Sequence, residues 1–227
     1  MYTVYNMKTI TRNNLSESAA EEIRDMITNG VLPANSRINE VHLSEKLGVS
    51  RTPLREALAM LVAEGALENQ PRKGNFVRPL TRDEFSSLYA MRPILDVEAL
   101  RMSGIPDQNT VDQLIALNNK LDEAKTVQTR IARDDEWHLL LIANCNNPVL
   151  VDLVRQFMFR TRRYEIAYLR ESDNASTAYD EHLKVIDALQ KGDLEAACAA
   201  LKQNLTSGNA PILAWLGRIE DAAHVNE

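Results

Sequence analysis

Cysteine is scarce in this sequence: Cys145 and Cys198 are the only two, and they do not form a CxxC pair. No disulfide framework is therefore expected, and two free thiols inside helical patterns suit a reducing cytoplasm, the expected location. Long apolar runs are missing too. Nothing approaches the roughly 18 residues that a bilayer span needs, so no membrane partner is expected. Residues 1–14 lack the cationic and apolar regions of a secretory signal. There is no internal repeat of fixed period and no low-complexity tract, and after residue 81 there is no strand signal of any strength.

What is present fits two compact domains. The 227 residues exceed one average domain, and an apolar content of 44% suffices for a real core. The net charge of −6 is unevenly spread: residues 1–78 carry 10 Lys/Arg against 9 Asp/Glu (+1), and residues 79–227 carry 16 against 23 (−7). The acid lies in the second part. A nearly neutral first part can still meet a polyanion if its basic residues share one face.

The spacing predicts an arm over 1–14, a three-helix module with a hairpin over 15–78, a linker at 79–81 and an all-helical domain over 82–227. In the first module a helix runs from an N-cap at Ser16 to Thr28, stopped by Asn29-Gly30. A second covers Asn39 to Leu47, with Val41, Leu43, Leu47 and Ile38 facing inward. Gly48-Val49 turns the chain, and Ser50 caps a third helix to Glu64 with Pro53 in its first turn. Residues 66–68 and 75–77 read as two short strands joined by Pro71-Arg72-Lys73-Gly74. Three helices followed by a hairpin is the order of a winged helix. The second domain reads as a six-helix antiparallel bundle, with helices at 82–103, 107–125, 127–145, 148–171, 175–191 and 193–218. The fold class is mainly α.

Two short helices around Gly48 let the second project from its domain. Its start concentrates Ser50, Arg51, Thr52 and Arg55, where a recognition helix meets base edges. Arg51 suits a forked bond to guanine, and Ser50 and Thr52 suit phosphates or bases. Arg72 and Lys73 at the hairpin tip would touch DNA backbone or minor groove. An ordinary three-helix module with solvated charges would show the same local pattern. Residues 37–78, however, resemble the winged helix of the GntR family of bacterial regulators. The resemblance rests on Arg37-Ile38-Asn39-Glu40, on the run Val49-Ser50-Arg51-Thr52-Pro53-Leu54-Arg55-Glu56-Ala57-Leu58, on Glu64-Gly65-Ala66-Leu67 and on Gly74-Asn75-Phe76-Val77. It implies DNA contacts from Arg37, Ser50, Arg51, Thr52, Pro53 and Arg55, and from a wing at Arg72, Lys73 and Gly74. Some relatives place a base-contacting arginine where this chain has Val41; His42 is the neighbouring candidate.

In the second domain Asp134 and His138 stand four residues apart on one helix face, and His182 follows on a later helix. A carboxylate and imidazoles converging inside a bundle could hold a divalent metal; an isolated Asp/His pair could equally be a surface hydrogen bond. Arg92 could grip a ligand carboxylate or pair with Asp96 or Glu98. Arg160, Arg162, Arg163, Tyr164 and Tyr168 form a basic-aromatic run whose members could line a pocket or face solvent. Residues 82–210 resemble the FCD effector domain of the FadR subfamily, in its shorter VanR-like branch. The matching pieces are Arg92-Pro93-Ile94-Leu95-Asp96, Asp134-Asp135-Glu136-Trp137-His138, Asn147, Glu181-His182 and Gly192-Asp193. The resemblance implies a metal held by Asp134, His138 and His182, with Asn204 standing where the family has a third histidine. It also implies effector contacts from Arg92, Asp134, His138, His182 and Asn204, and Arg162 is the member of the basic-aromatic run expected to join them. Zn, Mn or Ni are the candidate ions; an amide oxygen is a poorer zinc ligand than imidazole and suits harder ions better.

The resulting expectation is a non-enzymatic transcription regulator, a repressor by preference. It would bind operator DNA as a homodimer and respond to a small organic acid held near a divalent metal. A metal-dependent hydrolase built on Asp134, His138 and His182 is the alternative, and a helical dimerisation module without a ligand is a third reading.

Overall fold

The computed structural model describes residues 13–171 and 177–224, so the expected arm lies almost wholly outside the described residues. The chain folds as two compact units, Met1–Pro79 and Leu80–Glu227.

The first unit contains α1 (Asn13–Thr28), α2 (Glu40–Leu47), α3 (Arg51–Ala63) and a hairpin of β1 (Leu67–Gln70) and β2 (Gly74–Val77). α3 is its centre, because α1, α2 and β1 all pack on it. Leu54, Ala57, Leu58 and Leu61 recur at helical spacing and are fully buried against Ile23, Met26, Ile27, Leu43 and Leu67. Ser16 does not cap α1. The helix already runs through Asn13, and the buried Ser16 hydroxyl donates to Glu56 on α3. Arg24 adds a forked pair to Glu64, at 2.8 and 3.1 Å, across the same contact.

Asn39 caps α2 by accepting from the Val41 and His42 N–H groups. Gly48 ends the helix at φ +65, donating back to Glu45 and Ser44. Val41, expected inside, is 49% exposed. It lies two residues from Leu43, and about 200° of helical rotation separates their side chains, so only one can face α3. A Gly48→Ala substitution would meet no atom within 4 Å, leaving only the left-handed backbone to penalise it. We expect a loss of about 1 kcal/mol, measurable as a lower urea midpoint with an unchanged slope.

The hairpin is antiparallel, with Leu67 opposite Val77 and Gln70 opposite Gly74, so each strand extends one or two residues further toward the tip than expected. The turn closes by a Lys73 N–H to Gln70 carbonyl bond, with Arg72 at φ +65. Backbone bonds from Asn35, Ile38 and Val77 also lash residues 35–38 along β2, a partial third strand the sequence pattern does not announce.

The second unit is all helical: α4 (Arg82–Ser103), α5 (Gln108–Asp122), α6 (Val127–Leu141), α7 (Pro148–Glu171), α8 (Ala178–Gln190), α9 (Leu194–Ser207) and α10 (Asn209–His224). α6 stops at Leu141, short of the expected 145. Asn147 then accepts from the Leu150 N–H, and Pro148 opens α7 where a missing N–H costs nothing. The last expected helix is divided at Gly208. A Cβ there would stand 2.8 Å from the Tyr89 hydroxyl, so this junction needs glycine for close packing on α4. The main core gathers Leu100, Leu114, Trp137, Leu141, Val154, Val185 and Leu201; a second cluster joins Phe85, Tyr164, Trp215 and Leu216.

Candidate functional site

The start of α3 presents Ser50, Arg51, Thr52 and Arg55 to solvent, with Pro53 half-buried beneath them. This follows from the core: once Leu54, Ala57, Leu58 and Leu61 face inward, the 51, 52 and 55 positions must face out. Ser50 makes no capping bond with its side chain, so the first N–H groups of α3 and a free hydroxyl point outward together. Among the described residues nothing engages the Arg51 guanidinium, whereas Arg55 donates to Glu40 at 2.9 Å. At the hairpin tip Arg72 and Lys73 are exposed. Arg37, bridged to Phe76, brings its guanidinium to about 4 Å from where a Gly74 Cβ would lie. Its position therefore groups it with the wing.

In the second unit a cavity of about 340 Å³ is lined by α4, α6, α7, α8, α9 and α10 and opens to solvent on one side. Asp134, His138 and His182 meet in and behind its wall, with candidate ligand atoms all within 4.8 Å of one another. Asp134 lies 3.5 Å from His182 Nε2 and 3.7 Å from His138 Nε2. His182 is fully buried and stacks on Trp137, ring centroids 3.7 Å apart and planes 2° from parallel. Its Nδ1 lies 3.0 Å from Asn118 Oδ1, and Asn118 in turn donates to the Tyr179 carbonyl. The ring must therefore donate from Nδ1, which leaves a bare lone pair on Nε2. That Nε2 is buried without a hydrogen-bond partner.

Electrostatics push the three groups in distinct directions. Burial lowers the His182 pKa to about 3. Burial, then Arg92 and His182, hold His138 well below the usual imidazole value. Both rings are neutral at neutral pH and can donate lone pairs. Burial, Glu165 and Asp135 raise the Asp134 carboxyl well above the ordinary carboxylate range. A neutral pair of imidazoles, an orphaned Nε2 and a crowded carboxylate form a donor set that fits a divalent cation.

The other expected effector residues separate. Asn204 lines the cavity, its amide donating to Glu181 at 2.9 Å. Arg92 lines it too, but its Nη2 is held by Asp96 at 2.6 Å, with both side chains nearly fully buried. The ion-pair reading of Arg92 is therefore realised; Glu98 pairs with Arg101 instead. Arg162 does not line the cavity. It is paired with Asp135 at 2.7 Å, and burial keeps that carboxyl at about 6 despite the opposing cation. Of the basic-aromatic run on α7, only Tyr168 reaches the cavity, while Arg160 pairs with Glu84 and Tyr164 donates to the same carboxylate.

Several lining groups escaped sequence reasoning: Tyr89, Arg130, Glu165, Thr177 and Ser207. Arg130 had a readable signal, because it precedes Asp134 by four residues on the same helix face. Tyr89 precedes Arg92 by three. Glu165, Thr177 and Ser207 come from three other places in the chain, and no spacing links them.

Residues 15–77 match the family described as bacterial regulatory proteins, gntR family, and residues 87–207 match the FCD domain. The chain belongs to the GntR family. It resembles the Nta operon transcriptional regulator of Aminobacter aminovorans, 34% identical over 72% of this chain and 78% of that one. The gluconate operon transcriptional repressor of Bacillus licheniformis is 24% identical over 88% and 86% of the two chains. Among solved structures, E. coli McbR/YncC shares the fold with a TM-score of 0.77 at 22% identity, covering 92% of this chain and 99% of that one. This GntR protein is accordingly a DNA-binding transcription regulator, with an FCD effector domain after its winged helix-turn-helix. The hydrolase alternative finds no support among these relatives. Among the described residues, no helix of the GntR chain is long and apolar enough to cross a membrane.

Proposed function

We propose that this GntR regulator represses transcription as a homodimer on a palindromic operator, and that a small organic acid, held beside a divalent metal in the FCD cavity, changes its operator affinity. The observation that carries this reading is the orphaned His182 Nε2, facing Asp134 beside His138 at the wall of a half-open cavity. Asp134, His138 and His182 would hold the metal, with Asn204 as a further oxygen donor from the cavity wall. A divalent cation there would supply positive charge and Lewis acidity to an acid's oxygens. Arg92, fixed by Asp96, keeps a permanent cation in the same wall. Relatives named as operon repressors support repression, and one of those operons is named for gluconate, a hydroxylated carboxylate.

On the DNA side, Ser50, Arg51, Thr52, Pro53 and Arg55 would meet the major groove, with Arg37, Arg72, Lys73 and Gly74 at the wing against backbone. A tenfold change in operator affinity needs only about 1.4 kcal/mol of coupling, which a buried charged ligand can supply.

Native mass spectrometry of the freshly purified protein tests this reading. A dimer with one metal per chain, lost on Asp134→Ala, is expected; a metal-free chain under metal-replete conditions would overturn the anchored site. Asn118→Ala separates ligand from support. It leaves all three donors in place but frees the His182 ring, so metal affinity should fall about 10- to 100-fold in a competition titration with a chelating dye.

A further inference from the structure

We propose that Arg130 is a second anion receptor in the effector cavity, so that the ligand class is a small acid with two anionic groups rather than one. This rests on the reading of Asp134, His138 and His182 as the metal-anchored end of the site.

Two arginines, Arg92 and Arg130, stand in the cavity wall. Arg92 already has a partner: its Nη2 is bonded to the buried Asp96. Arg130 lines the same cavity and is half-buried, and its guanidinium makes no hydrogen bond or ion pair among the described residues. The nearby carboxylates do not claim it. Glu181 accepts from Thr177, Asn204 and Ser207, and Glu165 accepts from Tyr89. An arginine so placed, with solvent partly excluded and its fork open, is matched to a carboxylate or phosphate.

Position supplies the second half. Arg130, Asp134 and His138 recur every four residues on α6, so they share one face, Arg130 about 6 Å along the axis from Asp134. Burial explains the arrangement, since Ile131 and His138 on this face turn into the unit and draw Arg130 to the cavity edge. One acid group at the Asp134–His138–His182 end and another at Arg130 would lie roughly a helical turn apart, the span of a four-carbon diacid. A monoacid can satisfy only one end.

The test compares succinate with butyrate, four-carbon acids that differ by one carboxylate, on the full chain with and without zinc, by isothermal titration calorimetry. Zinc should bind wild type and Arg130→Gln equally, because Arg130 is not a ligand. Succinate should bind wild type at least tenfold more tightly than butyrate. Arg130→Gln should bring succinate down to the butyrate level and leave butyrate unchanged, with Arg130→Lys intermediate. Equal affinities for the two acids on wild type, a succinate advantage that survives Arg130→Gln, or no succinate binding to zinc-loaded protein would each overturn the proposal. Failure of zinc to bind would instead strike the metal reading, and the succinate preference measured without zinc would still decide Arg130. Because the Arg130 side chain makes no internal bond, the variant should fold, which an unchanged melting curve of the free protein would verify.

Discussion

Arg51→Ala is expected to lower operator affinity about 10- to 100-fold while leaving the melting temperature unchanged. The magnitude follows from the worth of one forked arginine–guanine contact, about 1–3 kcal/mol. The unchanged stability follows from the structure: Arg51 is exposed at the start of α3 and no described residue engages it. A DNA fragment selected from a random library by the wild-type protein supplies the operator, and fluorescence anisotropy supplies the affinities. Specificity should relax at one base position per half-site. Lys73→Ala should instead weaken all sequences about equally and flatten the salt dependence, as a phosphate contact does. Arg55→Ala should cost less than Arg51→Ala, because Arg55 already pairs with Glu40 at the surface and must leave that pair to meet DNA. If Arg51→Ala bound the selected operator as wild type does, the start of α3 would not be the reading element.

The second large effect concerns Asp134→Asn, which should change stability in opposite directions with and without metal. In wild type at saturation, with metal at 100 times its Kd, binding adds about 2.7 kcal/mol to stability, and the variant should lose that gain. Without metal the sign reverses. The folded-state pKa of Asp134 is raised by burial, Glu165 and Asp135, so the carboxyl contributes stability only while protonated and loses it as pH rises through the raised value. Toward alkaline pH this crowded carboxyl weakens the metal-free unit, and the neutral amide relieves it. Each 1 kcal/mol so recovered should raise Tm by about 2–4 °C in a domain of this size. The same proton makes metal affinity climb with pH, since Asp134 must release it on binding. His138 and His182 add little pH dependence near neutrality because burial already keeps them neutral. A variant equally stabilised by metal would remove Asp134 from the ligand set.

Local signals explain why so much of the winged helix is legible in the sequence. The Gly48 turn, the Asn39 cap and the 54-57-58-61 stripe each act within a few residues, so spacing alone places them. Ser16 and Val41 depart from their expected roles for the complementary reason. A serine hydroxyl serves equally as a cap or as a donor to a distant carboxylate, and only the packing of α1 on α3 brings Glu56 within reach. For Val41, apolar character points inward, but the short α2 has room for one inward residue in that turn, and Leu43 takes it.

The sequence by itself determined the two-part layout, the exposed basic start of α3, and the Asp134–His138 pair on one helical face, because helical periodicity projects directly into three dimensions. The family resemblance named His182 as well, but only tertiary structure brings it to that pair. His182 joins that pair from a helix more than forty residues away, and Asn118, from a third helix, orients its ring. Packing also decided which of the second unit's arginines remain available to a ligand. Arg92 is tied to Asp96, Arg162 to Asp135 and Arg160 to Glu84, and Arg130 is left with its charge open to a ligand. Charge pairing depends on which helices touch, and a linear spacing cannot hold that information.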